Sequence, residues 1–127
     1  MKYLGIDYGL KNVGIAISDE SLKFAFPLVV LQNSEILIYD IARICKENNV
    51  VGVVVGESKD FGQRDNEIMK EIKPFVERLK TELKVPIIFH PEFMTSVEAE
   101  RLQGKNNMHD ASAAALILKS YLDTNHG

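Results

Sequence analysis

The sequence has too few cysteines for a disulfide framework and no segment suited to a membrane. Its single cysteine, Cys45, excludes an internal disulfide and falls in a helical pattern typical of a small core residue. No apolar run approaches the length of a membrane span, and the amino terminus lacks the basic-then-apolar plan of a signal peptide. We therefore expect a protein of the cytoplasm that does not enter a membrane.

An excess of positive charge is also missing. The chain has 15 Lys and Arg against 18 Asp and Glu, a net charge of −3. This balance argues against a protein that coats nucleic acid by bulk electrostatics, because such domains are usually basic. It does not exclude a nucleic-acid enzyme, since cations bound to carboxylates restore the attraction to phosphate. With 46% hydrophobic residues and no repeat, low-complexity tract or linker, residues 1–127 are predicted to form a single domain.

The first nineteen residues contain the most informative pattern in the chain. Residues 2–8 predict a strand, because they are bulky and mostly apolar, yet Asp7 adds a charge near the end. A buried carboxylate is costly unless it is paired or binds a metal, so we expect Asp7 at a strand end facing a cleft. Residues 9–12 suit a hairpin turn, and residues 13–18 alternate like a second strand. The alternative is that Asp7 only caps this hairpin.

Two further strands and a helix follow. Residues 23–31 predict a third strand, in which Pro27 cannot donate a hydrogen bond and so requires an edge or a bulge. Ser34 is predicted to cap a helix that extends to about residue 48. Residues 50–56 are a β-branched run typical of a strand that is buried on both faces of a sheet.

The second half of the chain alternates helix and strand. Residues 67–84 have helical periodicity, with Pro74 predicted to kink or divide the helix. Residues 86–90 read as a short strand. Two helices complete the pattern, one opened by a capping box at residues 95–98 and one at residues 109–122. The order of elements implies an α/β fold with a mixed sheet and helices on both faces.

Four acidic residues fall at the ends of these elements. Asp7, Glu57 and Glu92 end three strands, and Asp110 begins the last helix, where capping is its alternative role. If the first and fourth strands are neighbours, Asp7 and Glu57 share one end of the sheet. Carboxylates without histidine or cysteine companions favour Mg²⁺ or Mn²⁺ over zinc. Two such ions could clamp a phosphodiester, one activating water and the other stabilising the leaving oxygen.

Three basic residues lie in loops beside these carboxylates. Lys11 belongs to the first hairpin, and Lys59 and Arg64 belong to the polar loop after the fourth strand. Loops at the carboxyl end of an open α/β sheet commonly bind ligands, so we expect these side chains to contact backbone phosphates. A solvated surface role is the alternative for each of them.

Several segments together resemble a known family. They are residues 5–9 (Gly-Ile-Asp-Tyr-Gly), residues 13–19 (Val-Gly-Ile-Ala-Ile-Ser-Asp), the Val-Val-Gly strand, residues 92–96 (Glu-Phe-Met-Thr-Ser) and residues 110–118 (Asp-Ala-Ser-Ala-Ala-Ala-Leu-Ile-Leu). This set resembles the YqgF or RuvX-like family, the Holliday-junction-resolvase-like branch of the ribonuclease H superfamily. The resemblance implies a ribonuclease H-like fold, a five-stranded mixed sheet whose first three strands are antiparallel, and a metal-dependent nuclease.

The resemblance also assigns roles to the acidic residues. Asp7 matches the family's first-strand aspartate, Asp110 its last-helix aspartate, and Glu92 the glutamate of its Asp-Glu-Arg-x-Thr motif. Pro91 and Phe93 stand where that motif has aspartate and arginine. Glu57 instead resembles the fourth-strand glutamate of the RuvC resolvases, so either Glu57 or Glu92 is expected to complete the metal site.

The resemblance favours one substrate and leaves others open. Cleavage of structured RNA is favoured, with maturation of the 5′ end of pre-16S ribosomal RNA as the role that the family implies. The alternatives are a Holliday junction resolvase, which would act on branched DNA as a twofold dimer, and a non-catalytic module bound to nucleic acid or ribosomes. The sequence leaves monomer and homodimer equally open.

Overall fold

Five strands and three helices make up the parts of the chain that the structure, a computed structural model, describes: residues 1–58, 69–92 and 109–126. In chain order they are β1 (Lys2–Asp7), β2 (Asn12–Ser18), β3 (Ala25–Gln32), α1 (Leu37–Glu47), β4 (Val50–Ser58), α2 (Met69–Glu82), β5 (Ile87–Glu92) and α3 (His109–His126). The predicted helix that a capping box opens at residues 95–98 lies outside these ranges. Within them, no helix is both long and apolar enough to cross a membrane.

The strands form one mixed sheet in the order β3-β2-β1-β4-β5. The pairs β1–β2 and β2–β3 are antiparallel, whereas β1–β4 and β4–β5 are parallel. The predicted five-stranded mixed sheet is therefore confirmed. Pro27 lies in the edge strand β3, at a register irregularity opposite Ile15 and Ala16, so both expectations for it are correct. The prediction of a single domain stays a prediction.

Helices cover both faces of the sheet, as predicted. One face, here called the α1/α2 face, packs Leu4, Ile6 and Val55 against the apolar stripes of α1 and α2. The opposite face, the α3 face, packs Ala16 and Val54 against α3. Alternate residues of each interior strand therefore point to different helices, because strand side chains alternate between faces. Cys45 is buried on the α1/α2 face and forms no disulfide, as expected for a core residue.

The helix α3 lies unusually close to β1. A Cβ atom on Gly5 would come within 2.8 Å of Leu118 Cβ and 2.9 Å of the Ala114 carbonyl oxygen, so only glycine allows this approach. Farther along, Tyr121 stacks on Tyr3 with ring centroids 5.8 Å apart. Because Ala114 lies over Gly5 and Tyr121 lies over Tyr3, α3 runs antiparallel to β1. The amino terminus of α3 therefore points toward the carboxyl end of β1.

The two ends of α1 differ in how well the sequence predicted them. Ser34 is not the N-cap: Ile36 occupies that position without a side-chain hydrogen bond, and the helix begins at Leu37. The Ser34 carbonyl instead accepts a 3.1 Å bond from the Leu37 N–H, so a turn precedes the helix. At the other end, Asn48 donates from Nδ2 to the Ile44 carbonyl at 2.9 Å, and Asn49 adopts a left-handed φ of 55°. The predicted end is confirmed.

The later helices correct two other boundaries. Pro74 lies inside α2 without dividing it, and the proline is exposed to solvent. A proline at this position cannot donate the backbone hydrogen bond of the helix, and the predicted kink stays a prediction. Met69 and Ile72 are both buried on the apolar side of α2. The final helix continues to His126 and is not frayed after Leu122.

Candidate active site

Three strand ends meet at one edge of the sheet. Because β1, β4 and β5 are parallel neighbours, their carboxyl ends, at Asp7, Ser58 and Glu92, lie along the same edge. The register pairs Ile6 with Val55, so the predicted adjacency of the first and fourth strands is confirmed.

The carboxylate of Asp7 belongs to the α3 face. Its neighbour Ile6 is fully buried on the α1/α2 face, and Asp7 is in register with Gly14 on β2. The next residue, Tyr8, returns to the α1/α2 face, where its ring packs 4.7 Å from the ring of Phe75. Asp7 is half-buried between these two anchored neighbours. Its backbone position is therefore fixed from both sides.

The start of α3 lies level with Asp7. From Gly5 to Asp7 the strand advances about 6.6 Å. From Ala114, which lies over Gly5, back to position 110 the helix covers about 6 Å in the same direction. The first turn of α3 therefore stands beside the end of β1, on the face to which Asp7 belongs. The backbone at Asp110 is helical, and the Asp110 side chain lies outside what the structure describes.

The two candidate glutamates differ in their strand positions. Glu57 alternates with Val53 and Val55, which pack on the α1/α2 face, so the pleat puts Glu57 on that face. The residue level with Asp7 on β4 is Gly56. Position 92 pairs with position 58 and has the strand parity of His90, which contacts α3. The side chain of Glu92 is outside the described part of the molecule.

The hairpin after Asp7 is clamped from a distant part of the chain. Asn33, just beyond β3, donates from Nδ2 to the Gly9 carbonyl oxygen at 2.9 Å, and its backbone N–H donates to the Lys11 carbonyl oxygen at 2.9 Å. Any Cβ on Gly9 would overlap the Asn12 carbonyl oxygen. Lys11 is exposed on this loop. These two hydrogen bonds hold the loop that follows Asp7 in the chain.

A match to a family model accords with this geometry. Residues 1–124 match the family described as RuvX, Holliday junction resolvase. The chain belongs to the RuvX family. Because the match spans nearly the whole chain, it includes both the first hairpin and the last helix.

Known RuvX relatives and one solved structure are similar over almost their full lengths. Proteins named "Putative pre-16S rRNA nuclease" from Dictyoglomus turgidum and Nitratidesulfovibrio vulgaris are 36% and 34% identical, with 98% and 97% of this chain and 95% and 94% of theirs covered. The structure of Thermus thermophilus RuvC in complex with a Holliday junction substrate superposes with a TM-score of 0.64 at 17% identity, covering 100% of this chain and 96% of that one. The predicted ribonuclease H-like fold is thereby confirmed.

Among the side chains that the structure describes, the donor groups suit a hard cation better than zinc. Cys45 is buried on the α1/α2 face, and burial raises the pKa of its thiol to about 11, so it is a poor zinc ligand. His90 shares a 2.9 Å hydrogen bond between Nε2 and the Ser120 hydroxyl, and desolvation lowers its pKa. Asp7 adds a carboxylate at this edge, and oxygen ligands favour Mg²⁺ or Mn²⁺.

The structure brings some of the predicted site residues together, and others lie outside the residues that it describes. It puts Asp7 and the backbone of position 110 on one face at one edge, with Lys11 in the adjacent hairpin. Among the described side chains, which do not include those of Glu92, His109 and Asp110, no three His, Cys, Asp or Glu residues are close enough to hold a metal. Lys59 and Arg64 lie outside those ranges. Asn33 was not predicted, and its only sequence signal is an asparagine after a strand.

Proposed function

We propose that this chain is a divalent-metal-dependent endonuclease that cleaves phosphodiester bonds of structured RNA during maturation of the 5′ end of pre-16S ribosomal RNA. The observation that carries the proposal is the position of Asp7 at the end of β1, level with the helical start that holds Asp110. The names of the RuvX relatives support the substrate. Metal dependence is supported by the carboxylate character of the donors at this edge.

Asp7, Asp110 and Glu92 are the proposed metal ligands. The pleat of the sheet favours Glu92 over Glu57, because position 92 shares the parity of His90 on the α3 face, whereas Glu57 has the parity of Val55 on the other face. Glu57 stays the alternative ligand, since it is the last-but-one residue of β4.

The chain's own residues have separate tasks in this proposal. The packing of Ile6 and Tyr8 on the α1/α2 face fixes the backbone at Asp7, so little backbone reorganisation accompanies binding. Bound Mg²⁺ or Mn²⁺ would supply charge neutralisation at the phosphate and activation of water. Lys11, exposed on the neighbouring loop, is proposed to contact a backbone phosphate of the substrate. Lys59 and Arg64 stay predicted phosphate contacts.

Branched DNA is the second candidate substrate. The family description, Holliday junction resolvase, favours it, and a resolvase would require two sites presented by a dimer. A module that binds nucleic acid without cleaving it is the third reading, supported by Pro91 and Phe93, which replace an acidic and a basic group of the family motif.

One cleavage experiment tests these readings. The purified protein is incubated with Mn²⁺ and a ribosomal precursor leader, a single-stranded RNA or a four-way DNA junction. Wild type is compared with Asp7→Asn and with Asp40→Asn, a control on α1 whose ion pair with Arg43 is long, at 3.9 Å. We expect the leader RNA to be cut by wild type and by Asp40→Asn, and Asp7→Asn to lose more than about 100-fold, because even groups that only orient metal ligands contribute 10- to 100-fold.

Other outcomes have defined meanings. Cleavage of the junction alone would select the resolvase reading, and wild-type activity in Asp7→Asn would remove Asp7 from the site. A folded protein that cuts nothing would favour the binding module. Thermal unfolding with and without Mn²⁺ gives a readout independent of activity, since a bound ion stabilises wild type and should stabilise Asp7→Asn less.

A further inference from the structure

We propose that Asn33 is a positioning residue for substrate binding: it fixes the loop of residues 9–11 so that Lys11 can contact a substrate phosphate. This inference rests on the proposed function of the site. Asn33 touches no substrate itself in this account and acts through the loop.

Asn33 connects this loop to the end of β3 by two hydrogen bonds. Its side chain and its backbone N–H reach two carbonyl groups of the loop, those of Gly9 and Lys11, each at 2.9 Å. The side-chain bond joins residues 24 apart in sequence and is partly buried. Bonds of this kind resist competition from water better than exposed ones.

The loop has little else to hold it. Leu10 is 66% exposed and Lys11 is also exposed, so neither side chain anchors the loop in a core. The buried anchors lie on either side, at Tyr8 on Phe75 and at Val13 in the core. Segments with few apolar contacts depend on hydrogen bonds for their order.

The amide of Asn33 is not a helix cap. Although Asn33 precedes α1, the cap position belongs to Ile36, and the Asn33 side chain donates toward Gly9 and away from the helix. A role in α1 stability therefore does not explain the orientation of this side chain.

Order in the loop matters because the Lys11 side chain is exposed. Of the side chains in the described part of the chain, none forms a hydrogen bond or an ion pair with the Lys11 ammonium. A lysine on an ordered backbone loses less conformational entropy when it binds a phosphate than one on a disordered loop. Loss of the Asn33 amide should therefore weaken substrate binding and leave the chemical step nearly unchanged.

The test compares Asn33→Ala, Lys11→Ala and the double variant with wild type. The matched control is Asn48→Ala, because Asn48 also donates from Nδ2 to a backbone carbonyl at 2.9 Å, but at the far end of α1. KM, kcat and the RNA dissociation constant are measured over a range of salt concentrations, with thermal unfolding of each protein. Asn33→Ser is measured as well, because the serine side chain is one bond shorter than that of asparagine and its hydroxyl should not reach the Gly9 carbonyl oxygen.

We expect Asn33→Ala and Asn33→Ser to raise KM and the dissociation constant about fivefold, the size of one net hydrogen bond, with kcat nearly unchanged. The double variant should bind no more weakly than Lys11→Ala alone. Lys11→Ala should reduce the salt dependence of binding by about one phosphate contact, and Asn33→Ala should reduce it by a smaller amount. Asn48→Ala should change neither KM nor the salt dependence.

Independent losses in the double variant would overturn the inference, as would a fall in kcat without a change in KM. Either result would make Asn33 a structural residue only. If wild type cleaves no substrate, the proposed function fails, yet the RNA dissociation constants of the same proteins still decide whether Asn33 acts through Lys11.

Discussion

Gly5 of β1 lies directly against Leu118 of α3, with no room for a Cβ atom between strand and helix. This contact sets the height of α3 above the sheet. Position 110 precedes Ala114 by about one helical turn. The same contact therefore also sets where position 110 stands relative to Asp7. A packing constraint in the core is thus coupled to the geometry of the candidate active site.

Gly5→Ala should reduce both stability and activity. The new methyl group would press on Leu118 and on the Ala114 carbonyl oxygen, and overpacking of this kind costs roughly 1–3 kcal/mol. The matched control is Gly52→Ala, whose new Cβ would meet the ring of Tyr3 at 2.8 Å. This substitution should reduce activity less, because a half-buried ring can move aside more easily than a helix backbone. Urea unfolding and Mn²⁺-dependent cleavage provide the measurements. Equal activity in the two variants would contradict the coupling.

Glu92→Gln should abolish metal-dependent cleavage, whereas Glu57→Gln should retain most of it. The reason is the opposite strand parity of the two positions. We expect kcat/KM at saturating Mn²⁺ to fall more than about 100-fold in Glu92→Gln and less than about tenfold in Glu57→Gln. The reverse pattern would identify Glu57 as the middle ligand.

Cys45 should react slowly with iodoacetamide while the protein is folded. Burial raises the pKa of its thiol to about 11, which leaves about one thiolate in a thousand at pH 8. Labelling followed by mass spectrometry at pH 8 should be at least about 100-fold faster in denaturing urea than in buffer. Comparable rates in the two solutions would show that the thiol is accessible.

The stabilising effect of Asp19 should disappear in acid. Hydrogen bonds from the Ser21 hydroxyl and from the N–H groups of Phe24 and Lys23 lower the pKa of Asp19 to about 2. A carboxyl with a depressed folded pKa stabilises the fold above its unfolded pKa near 3.8, and that effect is lost as pH falls toward 2.

The measurement is the urea midpoint of wild type and Asp19→Ala between pH 7 and pH 2.5. Wild type should be more stable at pH 7, and the difference should shrink below about pH 4. The control is Glu77→Ala, which removes only an exposed pair with Lys80 at 3.6 Å and should change the midpoint little at any pH. A difference between wild type and Asp19→Ala that is independent of pH would contradict the assignment.

The predicted elements agree with the structure where periodicity governs them. The β-branched run of β4, except the exposed Val51, and the apolar stripes of α1 and α2 are buried as expected, because burial depends on the spacing of side chains along each element. Pro27 correctly indicated an edge position, since a missing donor has few acceptable sites in a sheet.

The features that the sequence could not predict depend on contacts between distant residues. The bond from Asn33 to Gly9 requires the end of β3 to lie beside the first hairpin, which becomes visible only when strand order and register are known. The difference between Glu57 and Glu92 likewise depends on the pleat of two paired strands. Ser34 was misassigned because a serine before a helical pattern suits a preceding turn as well as a cap.

The outer edge of the sheet shows how the fold limits its own self-association. β3 carries Phe26 and Leu28, both exposed, and it pairs with β2 alone among the strands that the structure describes. An apolar edge with free backbone groups is a template for aggregation. Pro27, between those two residues, removes a donor at the centre of the strand, and the accompanying bulge distorts the edge. The proline and the bulge thus make this edge a poorer template for pairing with a strand of a second chain.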